Sequence, residues 1–139
     1  MEKRLRVLVV EGNPLLAQML NQQLCSLGFK ESALARSGEE AVAKAVSLQP
    51  DLLLVDIEQE DGMDGIAAVE MICLYREVPV VYLANYLDAL TAVRAYRTPL
   101  VEILPTVVSD RELADSLFRA LAVNKKARQR QPVCDQPLQ

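Results

Sequence analysis

Asp56 closes the apolar run Leu52-Leu53-Leu54-Val55, and a short acidic, glycine-bearing loop follows it through Met63-Asp64-Gly65. Glu11 closes a second apolar run, Leu5-Arg6-Val7-Leu8-Val9-Val10, ahead of the turn residues Gly12-Asn13-Pro14. Two carboxylates at strand ends suit a hard cation such as Mg2+, which takes oxygen ligands and keeps several of its waters. An aspartate in that setting can also act as a nucleophile toward a phosphoryl group, with the cation neutralising charge. Acids at a loop mouth are also ordinary solvated groups, so the elements that position them decide between the two readings.

A four-residue apolar run is too short for a helix and rich enough for a strand buried on both faces. The runs at 5–10, 52–55 and Pro79-Val80-Val81-Tyr82-Leu83 read as such strands, Lys30 to Ala35 as a weaker one, and Leu100–Leu104 as a short one stopped by Pro105. Helical patterns fill the gaps. Leu16, Leu20, Leu24 and Leu27 recur at helical spacing after Pro14, and Gly28 suits the stop. Ser37 three residues before Glu40, and Ser109 three before Glu112, are capping boxes that open two more helices. Ile66, Val69 and Ile72 or Cys73 give a stripe up to Arg76, and residues 87–97 form a less regular helix. Leu113, Leu117, Ala120 and Leu121 place one stripe on the last helix.

Five β-α repeats imply an α/β fold, a parallel sheet with right-handed crossovers and helices on both faces. The expected architecture is flavodoxin-like and doubly wound, with strand order 2-1-3-4-5. Its switch point lies between strands one and three, which sets Glu11 beside Asp56.

The chain has 139 residues, 51% hydrophobic and 24% charged, enough for one domain with a real core. The formal charge is −4, made of +2 on residues 1–10, +3 on residues 124–139 and −9 on the body between. That acidic body argues against a nucleic-acid groove on the domain. Lys125, Lys126, Arg128 and Arg130 mark residues 124–139 as a loose basic tail or linker beyond a domain at 1–123. No histidine is present, which excludes His-ligated zinc, Ser-His-Asp chemistry and a phosphohistidine on this chain. Cys25, Cys73 and Cys134 are odd in number and lack a C-x-x-C spacing, so reduced thiols in a cytoplasmic protein are expected. There is no long apolar leader and no apolar run near the length of a membrane span. An EF-hand fails on spacing, because its sixth position would be Asp61 and its twelfth Ala67. Neither a dinucleotide fingerprint nor a P-loop occurs.

Taken together, Val7-Leu8-Val9-Val10-Glu11, Leu54-Val55-Asp56, Met63-Asp64-Gly65 and Pro79-Val80-Val81-Tyr82-Leu83 resemble the receiver domain of two-component response regulators over about residues 5–123. The loop from Asp56 to Met63 is one residue longer than the commonest family spacing. The resemblance implies a non-enzymatic signalling module, whose only chemistry is its own phosphorylation at Asp56 from a phosphohistidine or a small phosphodonor. It implies Mg2+ at Glu11, Asp56 and the backbone carbonyl of Glu58. It implies a histidine kinase or another signalling protein as partner, and pairing of two copies through the face of helix four, strand five and helix five. Tyr86, Leu90, Val93 and Tyr96 offer apolar material there.

Four family positions carry other residues. The second metal-binding acid falls on Gly12, the hydroxyl after strand four on Ala84, the aromatic switch on Val101, and the phosphate-pairing lysine on Leu104, with Pro105 marking the register. Arg111, near the end of strand five, reads as a surface residue, with a substitute cation as the alternative. The expectation is a degenerate receiver with weak Mg2+ binding and impaired or absent phosphorylation, acting by protein–protein contact. The alternative is a conventional receiver whose output domain lies beyond residue 139.

Overall fold

The apolar runs are strands in the computed structural model, which describes residues 5–29, 31–58 and 63–130, with the backbone alone for Glu31 and residues 124–130. The elements alternate: β1 (Arg6–Val10), α1 (Pro14–Ser26), β2 (Glu31–Ala35), α2 (Gly38–Leu48), β3 (Leu52–Asp56), α3 (Gly65–Ile72), β4 (Val80–Leu83), α4 (Ala89–Tyr96), β5 (Leu100–Leu104) and α5 (Asp110–Arg130). The strands are parallel in the expected order β2-β1-β3-β4-β5. Every residue of central β3 is buried, which is why its apolar residues run on without alternation.

The sheet separates two apolar clusters. Leu8, Val10, Leu53 and Val55 face α2 and α3, meeting Ala41, Ala45, Ile66 and Val69. Val7, Val9, Leu52 and Leu54 face α1 and α5, meeting Leu20, Leu24, Leu113 and Leu117. The helix starts are built as their sequences require. The Asn13 side chain accepts from the Leu15 and Leu16 amides with Pro14 in the first turn. Ser37 Oγ accepts from Glu40 N–H at 3.1 Å, while the Glu40 carboxylate accepts from Arg36 N–H at 2.7 Å, one residue outside the usual box. Ser109 and Glu112 pair in both directions. Gly28, at φ +95°, carries the chain out of α1 through the left-handed region.

Three details differ from the sequence reading. α3 stops at Ile72 rather than Arg76, because the Leu74 and Tyr75 amides bond three residues back, to the Met71 and Ile72 carbonyls, and the Arg76 side chain donates to the Pro50 carbonyl. α5 runs on to Arg130, so the backbone of 124–130 is helix rather than loose chain. Lys, Ala, Arg and Gln are good helix formers, and basic residues are favourable near a helix C-terminus. The rest of the tail, with Cys134, lies outside the described residues. Finally, the β4–β5 register shifts, Val80 facing Leu100 and Val81 facing Glu102, so Val101 sits at an irregularity that no residue pattern announces. Cys25 and Cys73 are free thiols.

Candidate functional site

Register alone brings the two acids together. Val10 pairs with Val55, so Glu11 and Asp56 leave neighbouring strand ends side by side. Both are buried, at 1% and 7% exposure. Glu11 accepts from the Asn13 amide through Oε2 at 3.2 Å, while its Oε1 is buried without a partner. Burial, and next the charge of Asp56, push the Glu11 carboxyl up to about 7.

Asp56 is held from below and beside. Its Oδ1 accepts from Glu58 N–H at 3.1 Å, folding the chain back toward the acid. A Cβ on Gly65 would lie 2.4 Å from the Asp56 carbonyl oxygen and 2.6 Å from Val55 Cγ1, so only glycine lets α3 start against the end of β3. Asp64 caps α3 by accepting from Ala67 N–H at 2.7 Å. It also holds Arg94 of α4 through two bonds, at 2.9 and 3.1 Å. The Arg94 hydrogen bond keeps the Asp64 carboxyl below the usual range. Residues 59–62, which include the extra loop residue, lie outside the described residues.

Above Glu11 and Asp56 opens a cleft of about 590 Å³, edged by Gly12, Arg36, Glu58, Asn85 and Thr106. The far wall departs from the near one. Ala84 is half-buried against the α2–α3 cluster. Leu104, 4% exposed, belongs to the α1–α5 cluster, and Val101 packs against that same cluster. Ala84 N–H donates to the Leu104 carbonyl at 2.9 Å, so Ala84 and Leu104 stand side by side at the ends of β4 and β5. Arg111 is exposed on α5 and does not edge the cleft.

Sequence reasoning missed the polar residues of the far wall. Asn85 and Thr106 each stand two residues past the ends of β4 and β5, and Thr106 N–H donates to Asn85 Oδ1 at 3.1 Å. Thr106 Oγ1 is buried without a partner. Arg36, directly after β2, is the one basic side chain on the cleft among the described residues. Their common signal is a polar residue just past the carboxyl end of a predicted strand, where ligands of such sheets gather.

The family model of the response regulator receiver domain matches residues 7–118. This chain is a member of that family. Receiver domains are signalling modules that meet histidine kinases and other signalling proteins and bind Mg2+ at their phosphorylation site. The protein-glutamate methylesterase/protein-glutamine glutaminase 2 of Carboxydothermus hydrogenoformans is 30% identical over 133 residues, 90% of this receiver and 37% of that protein. The positive alginate biosynthesis regulatory protein of Pseudomonas aeruginosa is 30% identical over 123 residues, 87% of the receiver and 49% of the relative. The receiver thus spans less than half the length of these curated relatives. Among solved structures, the signal receiver domain of a modulated diguanylate cyclase from Desulfovibrio desulfuricans G20 is 32% identical. It superposes with a TM-score of 0.82 over 88% of this chain and 97% of that one. A CheY-like receiver domain protein from Methanospirillum hungatei JF-1, at 21% identity, TM-score 0.82 and coverage of 90% and 99%, shares the fold. Among the described residues, no helix is long and apolar enough to cross a membrane.

Proposed function

We propose that this receiver is an atypical one, in which phosphorylation at Asp56 is impaired and signalling runs through protein–protein contact. The observation that carries the reading is Leu104. The position where the family holds a phosphate-pairing lysine is occupied by an apolar side chain packed into the core. A phosphoryl group on Asp56 would therefore lack its strongest charge-assisted contact. Ala84 removes the hydroxyl that follows the phosphoryl group, and without a contact that differs between two states a ligand shifts no equilibrium.

The metal side is thinned as well. Among the described residues no three acidic or cysteine side chains cluster as ligands. Mg2+ needs no more than one or two carboxylates when it keeps its waters, and the unpartnered Glu11 Oε1 is a free oxygen for it. Glu11, Asp56 and the Glu58 carbonyl would hold the ion, with Gly12 supplying no side chain. The bound ion would neutralise charge as an Asp56 oxygen attacks phosphorus and the donor's leaving group departs. The chain's own part is to seat Asp56 by Glu58 N–H and by the close approach of Gly65.

We take residues 1–123 as the receiver unit and the basic stretch from 124 as its connector. The partner surface is the α4–β5–α5 face, where Tyr86, Leu90 and Tyr96 are 76%, 81% and 71% exposed and Val93 adds to the patch. A second copy of the receiver pairing there would cover this material. Sedimentation that finds only monomer at high concentration counts against the pairing.

A second reading is supported by the relatives' greater length: a conventional receiver that controls an output domain on a longer chain. One experiment separates the two. The protein is incubated with a small acyl phosphate donor and Mg2+ and read by intact mass. A small fraction of singly phosphorylated protein, absent in Asp56→Ala, fits the impaired receiver. A stoichiometric adduct lost in Asp56→Ala overturns it.

A further inference from the structure

The two polar atoms buried without a partner among the described residues, Glu11 Oε1 and Thr106 Oγ1, both belong to residues of the same cleft. Such atoms are rare in native proteins because each forfeits its hydration, and they mark places where a ligand completes the bonding. Glu11 faces the metal side. Thr106 stands on the wall opposite, where the family's hydroxyl and lysine have been replaced by Ala84 and Leu104.

We infer that Thr106 is a displaced oxyanion-binding residue, taking over from position 84 the contact with a phosphoryl group carried by Asp56. Four observations converge on it. Its backbone is fixed, because Thr106 N–H donates to Asn85 Oδ1 at 3.1 Å and the preceding β5 end is tied to β4 by Ala84 N–H and the Leu104 carbonyl. Its hydroxyl has no partner to give up, so turning it about Cα–Cβ toward the cleft breaks no hydrogen bond. Asn85, whose Oδ1 is engaged by Thr106, keeps its amide nitrogen as a second donor on the cleft edge. Arg36 supplies a cation on the opposite rim.

The arrangement also provides what Ala84 took away. A hydroxyl that is unsatisfied in the free receiver and satisfied by an oxyanion makes a contact that differs between the two states. Such a contact lets an anion bias the β4–α4 and β5–α5 loops. The inference rests on the reading of this cleft as the receiver's phosphoryl site, and it assigns the residual anion affinity of an impaired site to Thr106.

The test uses beryllofluoride with Mg2+ as the phosphoryl mimic, its affinity followed by calorimetry and the free protein's stability by urea unfolding. Thr106→Val should weaken beryllofluoride binding at least about tenfold, as expected for loss of a hydrogen bond to a charged group. The same variant should leave the free protein equally or more stable, because an unsatisfied buried oxygen is removed. Thr106→Ser should retain most of the affinity. Equal affinity in wild type and Thr106→Val overturns the assignment and leaves the impaired-receiver reading standing. No binding in the wild type at saturating beryllofluoride also overturns the assignment, while agreeing with a silent Asp56. Binding that persists undiminished in Asp56→Asn instead removes the phosphoryl-site reading itself.

Discussion

The two walls of the cleft come from the same sheet and follow different rules. The β1–β3 wall sets Glu11 and Asp56 side by side, buried and held by local amides. The β4–β5 wall turns its family positions into packing, with Ala84 against one apolar cluster and Leu104 inside the other. Strand ends in an open α/β sheet have a double function, as ligand supports and as the last layer of core. β1 and β3 end on buried acids, and β4 and β5 end on apolar packing. The polar residues on the far wall of the cleft stand one residue beyond Ala84 and two beyond Leu104, at Asn85 and Thr106.

The contrast is most easily broken at Leu104. If position 104 is core, Leu104→Ala should cost about 3 kcal/mol in urea unfolding, the usual penalty for emptying a buried leucine site. A cost below about 0.5 kcal/mol would mean that the side chain is free to leave the core, and the far wall would no longer differ in kind from the near one.

The near wall makes a prediction of comparable size in pH. Glu11 holds its proton more tightly in the folded chain, near 7 against 4.5 for the free group. The stabilisation from that proton is therefore complete below pH 4.5 and disappears as pH rises through about 7. Relative to Glu11→Gln, the wild type should lose on the order of 3 kcal/mol between the two ends of that range. Saturating Mg2+ should recover part of it at the alkaline end. Parallel stability–pH curves for the two proteins would show that burial beside Asp56 does not raise the Glu11 carboxyl.

A smaller effect tests the missing acid. Gly12→Asp places a third carboxylate at the rim and should raise Mg2+ affinity about tenfold by titration calorimetry, roughly what one added charge at short range supplies in a partly wet site. An unchanged affinity would point to some other limit on the metal side. The smallest effect concerns the link between the walls. Arg94 of α4 reaches Asp64 at the start of α3, with both side chains more than a third exposed. Arg94→Met should cost less than about 1 kcal/mol in urea unfolding. It should also loosen α4, visible as faster amide exchange at 89–96 while β3 stays protected. Equal loosening of β3 would mean that the two walls move as one unit.

Most of the near wall was legible in the sequence. Four apolar residues ending in Asp56, five repeats of β and α, and the rule that ligands gather at the switch point are enough to set Glu11 beside Asp56. The same patterning located the starts of α1 and α2, because Asn13-Pro14 and Ser37 act within one turn of chain. Much less of the far wall could be read. Leu104 drew notice only through family resemblance, and Thr106 carried only the weak signal of a polar residue just past a strand end. The end of α3 was misplaced for a related reason. Arg76 fits a helical stripe, but its side chain is drawn to the Pro50 carbonyl across the fold.

By itself the sequence determined the order of elements, the parallel sheet and the presence of Asp56 at its central strand end, since periodicity and capping are local and each residue declares them to its neighbours. Only the tertiary structure decided which side chains face the cleft and which face the core. That choice depends on register, as in the shift at Val101, and on whether a buried polar atom finds a partner, as with Glu11 and Thr106. Both are properties of residues distant in the chain, and no local pattern encodes them.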